Sequence, residues 1–545
     1  MEQAVRWPRI GERRPSGMIG GGESPVTKIA LLDAEYHLAD EEGEGKAPEA
    51  RKDGREAKEV RAGKPLALMK PRRASLSHRV SLALRRLTAQ DTRKYRPKVA
   101  IAGGGVLENL NGEFSQSMKY CIAMILQEDS MFHYEGTYRL RLNLCKHTSF
   151  IGEAVQRNVV APLVEFLKRN EEPLLQCEAA WCLTNICSTE SRFTLEVIDA
   201  GAIPLLLDLL ECGVSQIVVQ AMWCLANIAA DSTSTRDAVL HMSPVPLMVR
   251  IIKKDSSDNL IRTTCWAISN LCRGNPRPLF EAVAPSLPFF TQVINHTDIE
   301  ILTHSLSALA SMSQGHDDEV ERVIQCGPVP RIAELLLHED PSVFSPALRA
   351  LGNFVSGDHD ETQAVIDTGV LEHLAPFLSE SGTSEIRKEV NWMLSNIAAG
   401  SQSQIQAAID AGIMELSIQR MCDEDSVVQK EIVWVICNAV DGGSSEQRKK
   451  LLSYGAVDAL KAFLEPALSG TLSSWSEYKL AWTGLLILAE EGRKLATELD
   501  DTETYNVFAP EFASLLELRG SSQAHKSSGE IFNQILSLMN GPSSD

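Results

Sequence analysis

A Trp-x-x-x-Asn pair that returns at a near-constant interval constrains this chain more than any other feature. In order, the segments read CEAAWCLTNICST, VQAMWCLANIAAD, RTTCWAISNLCRG, PALRALGNFVSGD, KEVNWMLSNIAAG and KEIVWVICNAVDG. Their asparagines are Asn185, Asn227, Asn270, Asn353, Asn396 and Asn438, spaced by 42, 43, 83, 43 and 42 residues. The 83 is two periods, so one repeat lies hidden inside it. That repeat is THSLSALASMSQG, with Ser307 and Ser311 where Trp and Asn would fall.

A second signal follows each Asn: a turn with Gly, often with Pro, and then an apolar helix. Examples are DAGAIPLLLDLL (199–210), QCGPVPRIAELLL (325–337), DTGVLEHLAPFL (367–378) and SYGAVDALKAFL (453–464). Gly suits the sharp bend between helices, and Pro is tolerated in the first turn of the next one. Each period thus holds a short helix, a second helix and a third that carries the Trp and Asn. That length is that of armadillo and HEAT units, which bury their apolar faces only against their neighbours. The predicted fold class is all-α. Aromatics are only 6% of the residues, and Leu, Ala, Ile and Val supply the apolar content, as helical packing requires.

Trp and Asn at i and i+4 lie on one face of a helix. Helices packed side by side at roughly 10 Å then present their tryptophans as a row of plates. An extended peptide advances roughly 3.3 Å per residue, so its alternate side chains can enter the slots. Lys and Arg fit such slots, with an apolar stem against the indoles and a cation that gains roughly 0.5–2 kcal/mol from the ring quadrupole. The Asn amide offers a donor and an acceptor to the peptide backbone. A lone Trp on an amphipathic helix is usually core. Five Trp with Asn at a fixed offset, and a sixth Asn, point to a ligand, because Asn is a poor helix former and costly to bury unpaired. An Asn ladder satisfied only within the stack is the alternative.

Charge agrees with a basic ligand. The chain carries −19 overall, but residues 51–98 hold 16 Lys/Arg against 4 Asp/Glu, and residues 99–545 hold 31 against 58. An acidic body argues against nucleic acid as the main partner. No P-loop, GxSxG, HExxH or paired Cys/His motif occurs, so no catalysis is expected. Cys177, Cys182 and Cys187 stand at five-residue steps without a CxxC pair, which reads as buried thiols and leaves no metal or cofactor expected. The opening MEQAVRWPRIGERR has no apolar stretch, and no run of about 18 apolar residues occurs, so neither a secretory signal nor a membrane span is expected.

On its Trp/Asn pairs, the RAL before Gly352 and the Lys-Glu pairs at 388–389 and 430–431, the chain resembles the importin alpha family over roughly residues 135–495. The resemblance implies a right-handed superhelical solenoid of about ten armadillo repeats with a flexible N-terminal arm. It implies a nuclear import adaptor that shuttles between cytoplasm and nucleus, binds cargo proteins with basic nuclear localisation signals, and links them to importin beta. It implies a major peptide site of Trp181, Asn185, Thr194, Trp223, Asn227, Asp231, Trp266, Asn270 and Arg273. The implied minor site comprises Arg349, Asn353, Val355, Thr362, Glu389, Trp392, Asn396, Glu431, Trp434 and Asn438. In that family the C-terminal end meets the export receptor. The other function class open to such a fold is an armadillo scaffold that binds extended peptides without an import role.

The ends divide by composition. Residues 1–50 read as disordered, 51–98 as a basic arm and 99–134 as a linker with a first cap helix. Residues 496–545 read as capping helices and tail. The arm holds KPRR (70–73) and RKYRPK (93–98), and Leu76, Val80, Leu84 and Leu87 share one helical face. Lys70, Arg72 and Arg73 could mimic a localisation signal; a solvated basic linker is the other reading. The family's long Arg run is missing here. Trp482 stands in KLAWTGLLILAEEG, where Leu486 replaces the Asn, so the ladder has ended.

Overall fold

The computed structural model describes residues 117–146, 148–379, 382–468 and 475–498. The basic motif at Lys70, Arg72 and Arg73 lies outside the described residues, as do the segments 1–50 and 51–98 and most of the expected C-terminal cap. Among the described residues every regular element is a helix. They fall into two compact units that part between Leu247 and Met248.

The first unit stacks three long helices: α1 (His133–Lys146), α2 (Pro173–Cys187) and α3 (Ser215–Asp231). The second stacks six: α4 (Asp258–Cys272), α5 (Ile299–Met312), α6 (Pro341–Phe354), α7 (Ser384–Ala398), α8 (Ser426–Gly442) and α9 (Trp475–Glu498). Shorter helices join each long helix to the next and cover its other side. Each unit has its own core of Leu, Ile, Val and Ala side chains with near-zero exposure, such as Leu183 and Ile228 in the first and Leu309, Leu351, Ile397 and Ile436 in the second. Cys177, Cys182 and Cys187 belong to this core on α2. Burial pushes the thiols of Cys177 and Cys182 up, which keeps them protonated.

The sequence sets the boundaries of each repeat in two ways. Gly201, Gly327, Gly369, Gly412 and Gly455 all take left-handed backbone, with φ between 71° and 86°. Each sits at the bend before a second helix, where a Cβ would be strained. Ser243, 42 residues after Gly201, occupies the same register at φ 50°. The first helix of a repeat opens with a capping box, in which the N-cap side chain bonds the third backbone N–H and the third side chain bonds back. Ser401 with Gln404, Ser444 with Gln447, and Asp358 with Glu361 form such boxes.

Candidate functional site

Within each unit the asparagines lie on the long helices. Asn227 Nδ2 donates to the Thr184 carbonyl at 3.0 Å, Asn353 Nδ2 to the Ala310 carbonyl at 2.7 Å, and Asn438 Nδ2 to the Ser395 carbonyl at 2.9 Å. Each bond runs from one long helix back to the one before it, 43 residues earlier. A carbonyl only accepts, so the NH2 must face it, which fixes the amide orientation. Asn185 does the equivalent with the Cys145 thiol at 3.3 Å. The side-chain oxygens of Asn185 and Asn353 accept no hydrogen bond within the described residues. Asn270 differs: its Oδ1 accepts from the Arg273 guanidinium. All six asparagines, Asn396 included, are buried.

The tryptophans stand one turn before these amides. Trp181, Trp223 and Trp434 are half-buried, whereas Trp266 and Trp392 are buried. Trp392 lies flat against α6 because Gly352 has no side chain: a Cβ there would come within 2.6 Å of Trp392 Cζ3. The Nε1 atoms of Trp181 and Trp392 have no hydrogen-bond acceptor among the described residues.

Carboxylates accompany the pairs. Asp231 ends α3, one turn past Asn227, and its Oδ1 accepts from Ser191 Oγ at 2.9 Å. Ser191 opens the helix Ser191–Asp199, so the carboxylate rests at a helix N-terminus. Glu389 and Glu431 each precede a Trp by three residues and are largely buried. Glu389 Oε1 accepts from Arg349 Nη2 at 2.7 Å, so two expected site residues meet each other.

The two threonines behave otherwise than as open pocket groups. Thr194 Oγ1 donates to the Cys187 carbonyl at 3.4 Å, and Thr362 Oγ1 to the Asp358 carbonyl at 2.9 Å. Both residues are 0% exposed, so they hold the turn after the long helix. Val355 caps the C-terminus of α6 and is also buried. In the degenerate repeat, Ser307 Oγ bonds the Thr303 carbonyl and Ser311 Oγ the Ser307 carbonyl. Their hydroxyls fold back on their own helix, α5. His304, one turn earlier, is pushed down to about 4 by burial and by the charge of Arg273, with Asp298 opposing. It is therefore neutral at pH 7.

One cluster was not singled out from the sequence. Arg141 on α1 lies over the Trp181 ring at 4.2 Å from its centroid and over the Tyr138 ring at 5.2 Å. Its Nε donates to Glu178 Oε2 at 2.5 Å. Burial pushes the Glu178 carboxyl up, and the charge and hydrogen bond of Arg141 oppose this. Burial opposes the Arg141 charge in turn, but Glu178 outweighs it and holds the guanidinium protonated. The signal for this cluster was present: Glu178 precedes Trp181 by three residues, as Glu389 precedes Trp392 and Glu431 precedes Trp434.

Comparison with known proteins bears on the fold and the family. The armadillo/beta-catenin-like repeat family matches residues 151–188 and 191–230. The chain is 37% identical over 369 residues to importin subunit alpha-5 of Arabidopsis thaliana, covering 68% of this chain and 71% of that one. It is 36% identical over 239 residues to importin subunit alpha-1a of Oryza sativa subsp. japonica, covering 44% of each. Over several curated relatives, then, the match spans less than half of their length. Among solved structures, an engineered protein superposes with a TM-score of 0.67 at 24% identity, over 78% of this chain and 99% of that one. That likeness shows the fold, a stack of helical repeats.

Proposed function

Because the chain belongs to the importin alpha family, we propose that it is a nuclear import adaptor that holds Lys/Arg-rich localisation signals along its Trp/Asn ladder. The observation that carries this reading is the repeated grouping of indole, carboxamide and carboxylate. Trp223, Asn227 and Asp231 follow one another at four-residue steps on α3. A peptide cation meets the indole with its stem and the carboxylate with its tip, at roughly 0.5–2 kcal/mol for the ring and more for a charge-assisted hydrogen bond. The amide groups that the stack leaves unused, such as Asn185 Oδ1 and Asn353 Oδ1, suit an extended backbone. On the first unit, Trp181, Asn185, Trp223, Asn227 and Asp231 would serve the major site, and on the second, residues 349–438 would serve the minor one.

Cargo capture would couple to transport through importin beta, bound by the basic arm at 51–98, and the C-terminal end would meet an export receptor. The adaptor would then shuttle between cytoplasm and nucleus. Calorimetry of the full chain with a Lys-rich signal peptide tests the core of this. Binding at micromolar or better affinity, weakening as salt rises, is the expected result. An affinity equal to that of the same peptide with every Lys and Arg changed to Ala would refute it. A pull-down with importin beta, with and without residues 51–98, tests the coupling: capture that does not depend on the arm removes its assignment.

A further inference from the structure

Arg141 occupies on α1 the register that Trp181 occupies on α2, 40 residues later, and Cys145 occupies that of Asn185. The first step of the ladder therefore carries a cation where the next carries a plate. That cation makes the contacts a ligand cation would make. It stacks on Trp181 at 4.2 Å, within the roughly 6 Å reach of a cation–π contact, and pairs with the largely buried Glu178. Arg349 and Glu389 repeat the ion pair, though not the stacking, in the other unit, at 2.7 Å, ahead of Trp392. We propose that Arg141 is a built-in occupant of the slot before Trp181, and that it sets where a bound basic peptide must end on the 117–247 unit.

This proposal rests on the peptide-binding reading of the ladder and adds a limit to it. With Glu178 already paired and one face of Trp181 covered, a further Lys or Arg reaching that slot meets the like charge of Arg141. Selectivity for signal length then comes from the protein's own side chain and needs no clash with the peptide backbone.

The test uses the full chain and three peptides. One is the core Gly-Lys-Lys-Arg-Lys-Gly, and the others carry one more Lys two residues beyond either end. On the wild type, both extended peptides should bind within about twofold of the core. On Arg141→Ala, one extended peptide should bind about tenfold more tightly than the core, because Glu178 and the Trp181 face become available. An equal gain on wild type and variant, or no gain on the variant, overturns the proposal. Failure of the core peptide to bind the wild type overturns the peptide-binding reading instead. Since Arg141→Ala leaves Glu178 buried without its partner, the variant can lose stability. Melting with millimolar n-propylguanidinium covers that case and needs no peptide. The added cation should raise the melting temperature of Arg141→Ala and not that of the wild type. The same response from both proteins would also overturn the proposal.

Discussion

Asp231 accepts a hydrogen bond from Ser191 one turn beyond Asn227, so a cation arriving there meets a carboxylate already held in place. Asp231→Lys reverses that charge. Signal-peptide affinity at the surrounding site should fall by more than about tenfold, since a charge-assisted hydrogen bond contributes about 1.5–3 kcal/mol. Calorimetry on a folded variant with unchanged affinity would remove Asp231 from the site. Gly352 gives a prediction in which two effects oppose. In a helix interior Ala is favoured over Gly by about 1 kcal/mol. A Cβ at Gly352 would, however, overlap the Trp392 ring, and overpacking costs about 1–3 kcal/mol. Gly352→Ala should therefore lower the melting temperature; a rise would mean that Trp392 shifts freely. At this scale the sequence showed the Trp and Asn positions, because period and offset repeat. It hid which hydroxyls face inward: Thr194 and Thr362 lie in register with the ladder, yet their orientation depends on the turn geometry around them.

The helix His359–Ile366 shows how a local motif creates pH dependence. Its capping box turns Glu361 back toward the Asp358 backbone N–H. Burial pushes the Glu361 carboxyl up to about 7; the Asp358 N–H opposes this, while the charges of Asp358, Asp317 and Glu321 add to it. The folded chain therefore binds this proton more tightly than the unfolded chain does. Stability from this group is present below the ordinary carboxylate range and is lost as pH rises through about 7. Glu361→Gln keeps the acceptor and removes the charge. It should raise the melting temperature at pH 8 and leave it nearly unchanged at pH 4. An equal shift at both would show that the charge is not the cause. The left-handed glycines at 201, 327, 369 and 455 were legible as the turns before apolar helices, whereas the capping boxes at Ser401 and Ser444 emerge only from the structure. The replacement of the plate by inward-bonded Ser307 and Ser311 was legible only as a gap, since a hydroxyl's partner depends on its own helix.

For the whole molecule, the charge division was plain in the sequence: a basic stretch at 51–98 on an otherwise acidic chain. The structural consequence was not, because a tethered ligand and a solvated linker share one composition. If the arm competes for the ladder, it does so at the millimolar effective concentration typical of a flexible tether. Deleting residues 1–98 should then strengthen signal-peptide binding several-fold in a titration at fixed salt. Equal affinities for the two chains would show that the arm does not compete. The helical class was readable from the period alone. The cluster of Arg141, Tyr138 and Trp181 was not, because α1 carries Arg141 and Cys145 at the positions where the ladder has Trp and Asn.

The amide bonds of Asn227, Asn353 and Asn438 share a direction: the donor lies on the later helix and the acceptor on the earlier one. A ribosome releases the chain from its N-terminus, at about 5–20 residues per second. Each of these acceptors is thus already exposed on a finished helix when its donor emerges two or more seconds later, and every new repeat can dock onto a completed template instead of waiting for one.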